Sequence, residues 1–410
     1  MPADLAVIGL RHVGLPLAQA ATAAGIGVIG YDTDPAVTDG VNAGRSPVEW
    51  LAAADIRRML AAGFRATGDP AVLGRARTAV ICAPTPPGAD LAPDLTAVTE
   101  AARTLAAHLR PHTTVVLEST AAPGTTEDVL RPILENGSGL RAGRDFHLAY
   151  SPHRADPGRR DRVIANTPKV IGGLTPACTE AAAAFYGRIT DRVVRARGPR
   201  EAEAAKLLEA VYRHVNIALV NEMAVFCHES GIDVWDVIRC AETKPFGFQP
   251  FRPGPGVGGH DVPPAGPALP LRMADLARQV NSRMPRYVVQ RCAALLNEHG
   301  KSVRGARILL LGVTYKADLG DQEGAPAREI GARLLDLGAT LGYHDPYVPE
   351  WRLHDRPVPR ADSLWEAAAD ADLTVLLQHH RTYDLQGLAV KAQLLLDTRG
   401  ATPTGTAARL

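Results

Sequence analysis

The turn Gly9-Leu10-Arg11-His12-Val13-Gly14 and the acid Asp32 that follows it carry a recognisable chemistry. Glycines in such a turn admit a diphosphate to the backbone, and an acid at the end of the next strand binds ribose hydroxyls. Gly9 serves the turn and Gly14 the close packing of helix on strand, with Val13 between them. The middle position, where a third glycine normally lets the diphosphate approach, holds Arg11. An arginine there either crowds the diphosphate or swings out and pairs with it, and the sequence leaves both open. Asp32 suits both ribose hydroxyls and repels a 2′-phosphate, so the expected cofactor is NAD rather than NADP. Further on, His260 and Asp261 are neighbours. Asp261 acts as a base there or holds the imidazole protonated, or else His260 is a structural member of its glycine loop. The five cysteines are odd in number and far apart, and none forms a Cys-x-x-Cys pair. They read as reduced thiols, with no disulfide framework and no metal site expected.

The elements around these residues place them. Leu5 to Ile8 is a buried strand, Val13 to Ala24 is helical and alanine-rich, and Gly27 to Tyr31 is a second strand ending at Asp32. Strand, glycine turn, helix, strand and acid open a dinucleotide-binding fold. Thr78 to Cys82, Thr114 to Leu117, Phe146 to Tyr150 and Val170-Ile171 continue the sheet. From about Glu201 to Ser230 one long stretch lacks Pro and Gly, which predicts a helix that spans between domains or forms a subunit interface. Residues 243–270 are rich in Pro and Gly and predict a shaped loop. A second α/β unit follows, with strands at Ile308 to Leu311, Thr340 to His344, Leu373 to Leu377 and Leu394 to Leu396, and a helix from Ala325 to Leu337. The two α/β ends read as distant echoes of one another. The fold class is therefore α/β, with two Rossmann-like domains (1–197 and 301–410) joined by a helical middle domain (198–300) that carries a long central helix.

Composition narrows the function. The 410 residues are 46% hydrophobic, enough for two or three cores at roughly 150 residues per domain. Lys+Arg number 45 against 44 Asp+Glu, which argues against a broad basic surface for nucleic acid though not against one local anion site. Aromatics at 5% leave no stacking platform for single strands. The Leu5–Leu10 run is too short for a signal core and no stretch approaches the ~20 apolar residues of a membrane span, so a cytoplasmic protein is expected.

Further stretches carry a resemblance. They include Val13-Gly14-Leu15-Pro16-Leu17-Ala18, Tyr31-Asp32-Thr33-Asp34-Pro35, Pro84-Thr85-Pro86 and Glu118-Ser119-Thr120 with Pro123-Gly124-Thr125-Thr126. Tyr150-Ser151-Pro152, Lys206-Leu207-Leu208-Glu209, Arg213 and Asn216 to Glu222 continue it, as do Thr243 to Phe248 and Pro253 to His260. Leu311 to Lys316 and His344 to Tyr347 complete it. In these stretches the chain resembles the UDP-glucose/GDP-mannose dehydrogenase family of nucleotide-sugar 6-dehydrogenases, and is most similar to its UDP-N-acetylhexosamine branch. The resemblance implies an NAD-dependent oxidation of a sugar C6 alcohol to an aldehyde and then a carboxylate. A cysteine thiolate carries the second step as a thioester, and a lysine and an asparagine stabilise the oxyanions. It also implies a small nucleotide-sugar substrate, no nucleic-acid or membrane partner, and a homodimer through the long helix. Thr85 and Glu118 would join Gly9, Arg11, Val13, Gly14 and Asp32 in cofactor binding. Arg213, Asn216, Phe251, Gly254, Gly258, Lys316 and the position of Glu323 would meet the substrate. Lys206 and Thr120 would be catalytic.

Against that pattern the chain departs at six functional positions. Asp261 stands where the family has its cysteine, and Ala265 where it has a supporting carboxylate. Ala210 replaces the asparagine, His153 the glutamate after Ser-Pro, Glu323 an arginine that meets phosphates, and Arg11 a glycine. A carboxylate is a poor nucleophile toward an aldehyde, and Glu323 sets negative charge where a diphosphate would lie. The expectation is a divergent member unable to complete the four-electron oxidation. Three readings follow: an oxidoreductase doing one two-electron step with Lys206, Asp261, His260 and His153 as acid–base groups, a non-redox enzyme on the same scaffold, or a binding protein without catalysis.

Overall fold

The computed structural model describes residues 3–86, 88, 92–155, 163–259 and 270–410. It divides into two compact units, one holding the described residues up to Glu209, the other residues 210–259 and 271–410.

The first unit is built on an eight-stranded sheet: β1 (Ala3–Ile8), β2 (Val28–Tyr31), β3 (Arg65–Thr67), β4 (Ala76–Ile81), β5 (Thr114–Leu117), β6 (His147–Tyr150), β7 (Lys169–Gly173) and β8 (Val193–Arg195). Their order is 3-2-1-4-5-6-7-8. β1, β4 and β5 are buried over most of their length because helices cover both faces, as a parallel sheet requires. The helices are α1 (Gly14–Ala23), α2 (Pro35–Asn42), α3 (Ala53–Ala61), α4 (Thr96–Ala106), α5 (Arg131–Ser138) and α6 (Pro176–Tyr186). The strand order reverses between β1 and β4, and ligands of open α/β sheets bind outside the carboxyl ends of the strands at such a point. The sequence reading places these strands to within a residue or two. It does not reveal that β7 runs antiparallel to β6, or that the three-residue strands β3 and β8 exist. Short strands carry too few positions for a period to show.

The long helix α7 (Pro199–Glu229) runs as expected, starting two residues earlier at a proline that needs no amide partner at a helix start. Residues 199–209 belong to the first unit and 210–229 to the second.

The second unit adds α8 (Val234–Glu242) and α9 (Arg272–Glu298), the latter helical through Pro285. It also holds a parallel sheet of β9 (Arg307–Leu311), β10 (Thr340–His344), β13 (Leu373–Leu376), β14 (Leu395–Asp397) and β15 (Ala408–Arg409), in the order 10-9-13-14-15. A separate antiparallel pair, β11 (Arg352–Leu353) with β12 (Arg356–Pro357), and the helices α10 (Pro326–Asp336), α11 (Leu364–Asp370) and α12 (Leu385–Lys391) complete its frame. The echo between the two α/β ends is visible at bond level. In the first unit, Leu10 N donates to Asp32 Oδ2 at 2.8 Å and Asp34 N to Asp32 Oδ1 at 3.0 Å. In the second, Val313 N donates to Asp345 Oδ2 at 2.8 Å and Tyr347 N to Asp345 Oδ1 at 2.9 Å. Asp345 differs in one respect. It also faces His380 Nε2 at 3.0 Å and is fully buried, so its oxygens are closed to a ribose.

Candidate functional site

The glycine turn joins β1 to α1. Gly9 has φ +93°, and a Cβ on it would stand 2.9 Å from the Cys82 carbonyl oxygen. A Cβ on Gly14 would stand 1.9 Å from the Gly9 carbonyl oxygen, so helix and strand meet at a distance only glycine permits. Helix α1 has Val13 at its N-cap, with no side-chain cap and no acid in its first turn, leaving its positive end for an external anion. Asp32 ends β2 with both oxygens toward backbone amides. Arg11 does not lie over the turn: its guanidinium extends to Asp34, Nη2 to Oδ2 at 2.7 Å. Thr85 is half-buried in the loop after β4.

A second group forms where β5 and β6 end. Glu118 follows β5 directly and is buried. It pairs with the Lys169 ammonium, accepts the Tyr186 hydroxyl at 2.7 Å, and lies 3.5 Å from His153 Nδ1. Burial alone would raise this carboxyl, but Lys169 and His153 outweigh it and hold the group down at about 2. Lys169 Nζ also donates to the Pro152 carbonyl at 3.2 Å, fixing the turn that carries His153. The thiol of Cys82 is pushed well up by burial and then by the Glu118 charge, so it is no thiolate. Thr120 lies two residues past Glu118, half-buried.

Two tethers then bind these loops to α7. Glu203, fully buried, accepts from Gly124 N at 2.6 Å, Thr126 N at 2.9 Å and Thr126 Oγ1 at 2.6 Å, which fixes the loop beyond Thr120. Glu209 pairs with Arg154, next to His153, at 2.7 Å. Lys206 lies midway between these two glutamates on the same helix. The loops that carry Thr120 and His153 are therefore tied to the helix that carries Lys206. Sequence reasoning did not find Glu203, Arg154, Lys169 or Tyr186 as supports. The one local signal was a glutamate three residues before Lys206, and its partners lie far away in the chain.

The substrate positions expected from the sequence all fall in the second unit. Asn221 organises the Pro-Gly loop, with Oδ1 accepting Gly254 N at 2.9 Å and Nδ2 donating to Asn281 at 2.9 Å. Phe251 packs edge-on against Tyr212 with centroids 5.8 Å apart. Asn216 Nδ2 is spent on the Tyr212 carbonyl at 2.7 Å. Arg213 is exposed. Gly258 lies so close to Gly324 that a Cβ would stand 2.5 Å from its carbonyl oxygen, and Gly259 N donates to the Glu323 carbonyl at 3.2 Å. Glu323 is thus brought against the glycine loop with its side chain exposed, and Lys316 is half-buried nearby in sequence. His260 and Asp261 lie outside the described residues. Among the described residues, no helix is long and apolar enough to cross a membrane.

Three family models match in order along the chain. The UDP-glucose/GDP-mannose dehydrogenase family NAD binding domain covers residues 3–190, the central domain 200–284 and the UDP binding domain 309–404. The UDP-N-acetyl-D-mannosamine dehydrogenase of Escherichia coli K12 is 32% identical over 97% of this chain and 99% of its own length. The chain belongs to the UDP-glucose/GDP-mannose dehydrogenase family. The UDP-N-acetyl-D-glucosamine 6-dehydrogenase of Pseudomonas aeruginosa is also 32% identical, over 84% of this chain and 83% of its own. The solved UDP-D-ManNAc dehydrogenase of Pyrococcus horikoshii superposes with a TM-score of 0.88 at 30% identity, covering 99% of this chain and 98% of that one. The family gives the two units their ligand types: an NAD-binding domain at the amino end and a UDP-binding domain at the carboxyl end.

Proposed function

We propose that the chain is an NAD-dependent oxidoreductase acting on a UDP-N-acetylhexosamine-type alcohol, and that it stops after one two-electron step. The carrying observation is that Glu203 and Glu209 bracket Lys206 and tie to its helix the two loops bearing Thr120 and His153. The relatives named as UDP-N-acetyl-D-mannosamine and UDP-N-acetyl-D-glucosamine dehydrogenases support the substrate class. The glycine geometry, the uncapped α1 terminus and Asp32 fit a dinucleotide.

Oxidising CH–OH to C=O removes a hydride and a proton. When bound, the nicotinamide supplies the hydride acceptor. His153 takes the proton, held for that role on a turn that Lys169 fixes through the Pro152 carbonyl. Lys206 and the Thr120 hydroxyl stabilise the oxyanion that develops as the proton leaves. A further step to the acid needs a nucleophile to hold the aldehyde carbon. Position 261 is an aspartate, and of the five cysteines four are buried and the exposed one, Cys240, lies on α8. The exposed residues Tyr212, Leu219 and Phe226 recur every seven positions on α7, which supports a homodimer through that helix.

The test is cofactor stoichiometry. Purified protein with NAD and UDP-N-acetylhexosamines should yield one NADH per sugar consumed, with an aldehyde trapped as its oxime. Two NADH per sugar and a uronate would refute the single-step reading. In the same assay His153→Gln should lower kcat by about 10²–10⁴-fold.

A further inference from the structure

Arg11 occupies the place in the turn where the backbone normally comes closest to a diphosphate, yet its charge is directed elsewhere. Its Nη2 lies 2.7 Å from Asp34 Oδ2, with the two side chains 52% and 39% exposed. Asp34 is already engaged on its other oxygen, which caps α2 by accepting Ala36 N at 2.9 Å. Its own N–H donates to Asp32. The guanidinium is therefore parked beside the ribose end of the site, a side-chain rotation away from the uncapped start of α1.

Relative strengths decide where it goes when a diphosphate arrives. An ion pair this exposed is weak, because water screens it and two side chains must be held still. A guanidinium on a diphosphate at a helix N-terminus makes charge-assisted, bidentate bonds that are stronger. We propose that Arg11 is a cofactor clamp that leaves Asp34 for the diphosphate, and that Asp34 is its resting place and competitor. This rests on the reading that the first unit binds a dinucleotide. Where the three-glycine turn uses close backbone approach, this chain uses a mobile cation. Its cofactor affinity is then tuned by a carboxylate that need not touch the cofactor.

The test is calorimetric titration with ADP-ribose, and with adenosine as the phosphate-free probe, on wild type, Arg11→Ala, Asp34→Asn and the double variant. Asparagine keeps the helix cap, so Asp34→Asn removes the charge alone. Arg11 is exposed and Asp34 half-buried, and a thermal melt checks folding. Arg11→Ala should weaken ADP-ribose about tenfold and Asp34→Asn should tighten it about threefold. The gain from Asp34→Asn should vanish in the Arg11→Ala background, and adenosine should be indifferent throughout. Equal or tighter ADP-ribose binding by Arg11→Ala overturns the clamp, since Arg11 would then be a bystander or an obstruction. A gain from Asp34→Asn that persists without Arg11 overturns the parking role, leaving a general field effect. If wild type binds neither ADP-ribose nor NAD, the dinucleotide reading itself fails, and the clamp with it.

Discussion

Glu118 shows what a single buried carboxylate costs and what it fixes. Its charge survives burial only because Lys169 and His153 stand against it and Tyr186 donates to it. The folded carboxyl is held at about 2 against an ordinary 4.5. A depressed acid adds stability that is complete above its unfolded value and is lost as pH falls toward its folded one. The window is therefore pH 4.5 down toward 2. Urea midpoints of wild type should fall across that window more steeply than those of a Glu118→Leu/Lys169→Met double variant. Parallel slopes would show that the pair is not the source. The sequence alone exposes Gly9, Gly14 and Asp32, because their roles depend on neighbours a few residues or one strand away. It does not expose Lys169 and Tyr186 as partners of Glu118, since they lie fifty-one and sixty-eight residues off. Nor does it tell whether Arg11 covers the turn or leaves it, since one rotation separates the two.

Among the elements, α7 is where the site is assembled. Its apolar residues and lack of breakers make it legible as a helix, but not as an anchor for loops from β5 and β6. Glu203 is the fixed point, a carboxylate accepting three hydrogen bonds with no water access. Glu203→Gln would turn one acceptor into a donor facing donors. It should destabilise the fold by about 2–3 kcal/mol, read as a lower urea midpoint at unchanged slope. Because the loop then loses its hold beneath Thr120, kcat should fall by more than KM rises. A fall in stability with kcat intact would make Glu203 a structural residue only. The same lesson applies to β7. Its apolar run marks it as a strand, but direction is set by the connection that precedes it, which carries no periodic signal.

At the scale of the whole molecule, α7 also presents Tyr212, Leu219 and Phe226 on one exposed line, since seven residues turn a helix through nearly two full circles. A second copy of the chain is the proposed cover. Leu219→Glu with Phe226→Glu should convert a dimer to a monomer in light-scattering chromatography without lowering the thermal midpoint of the monomeric species. A monomeric wild type would remove the proposal. The family was legible end to end, because motifs are short and local, whereas the matching hydrogen bonds of Asp32 and Asp345 emerge only in the folded chain. The thiols have a practical consequence. Cys82, Cys178, Cys227 and Cys292 are buried, with burial pushing Cys292 up to about 12, while Cys240 alone faces solvent. A maleimide dye at neutral pH therefore finds one address on the native chain. Fluorescence from α8 can then report on the protein with no cysteine added or removed.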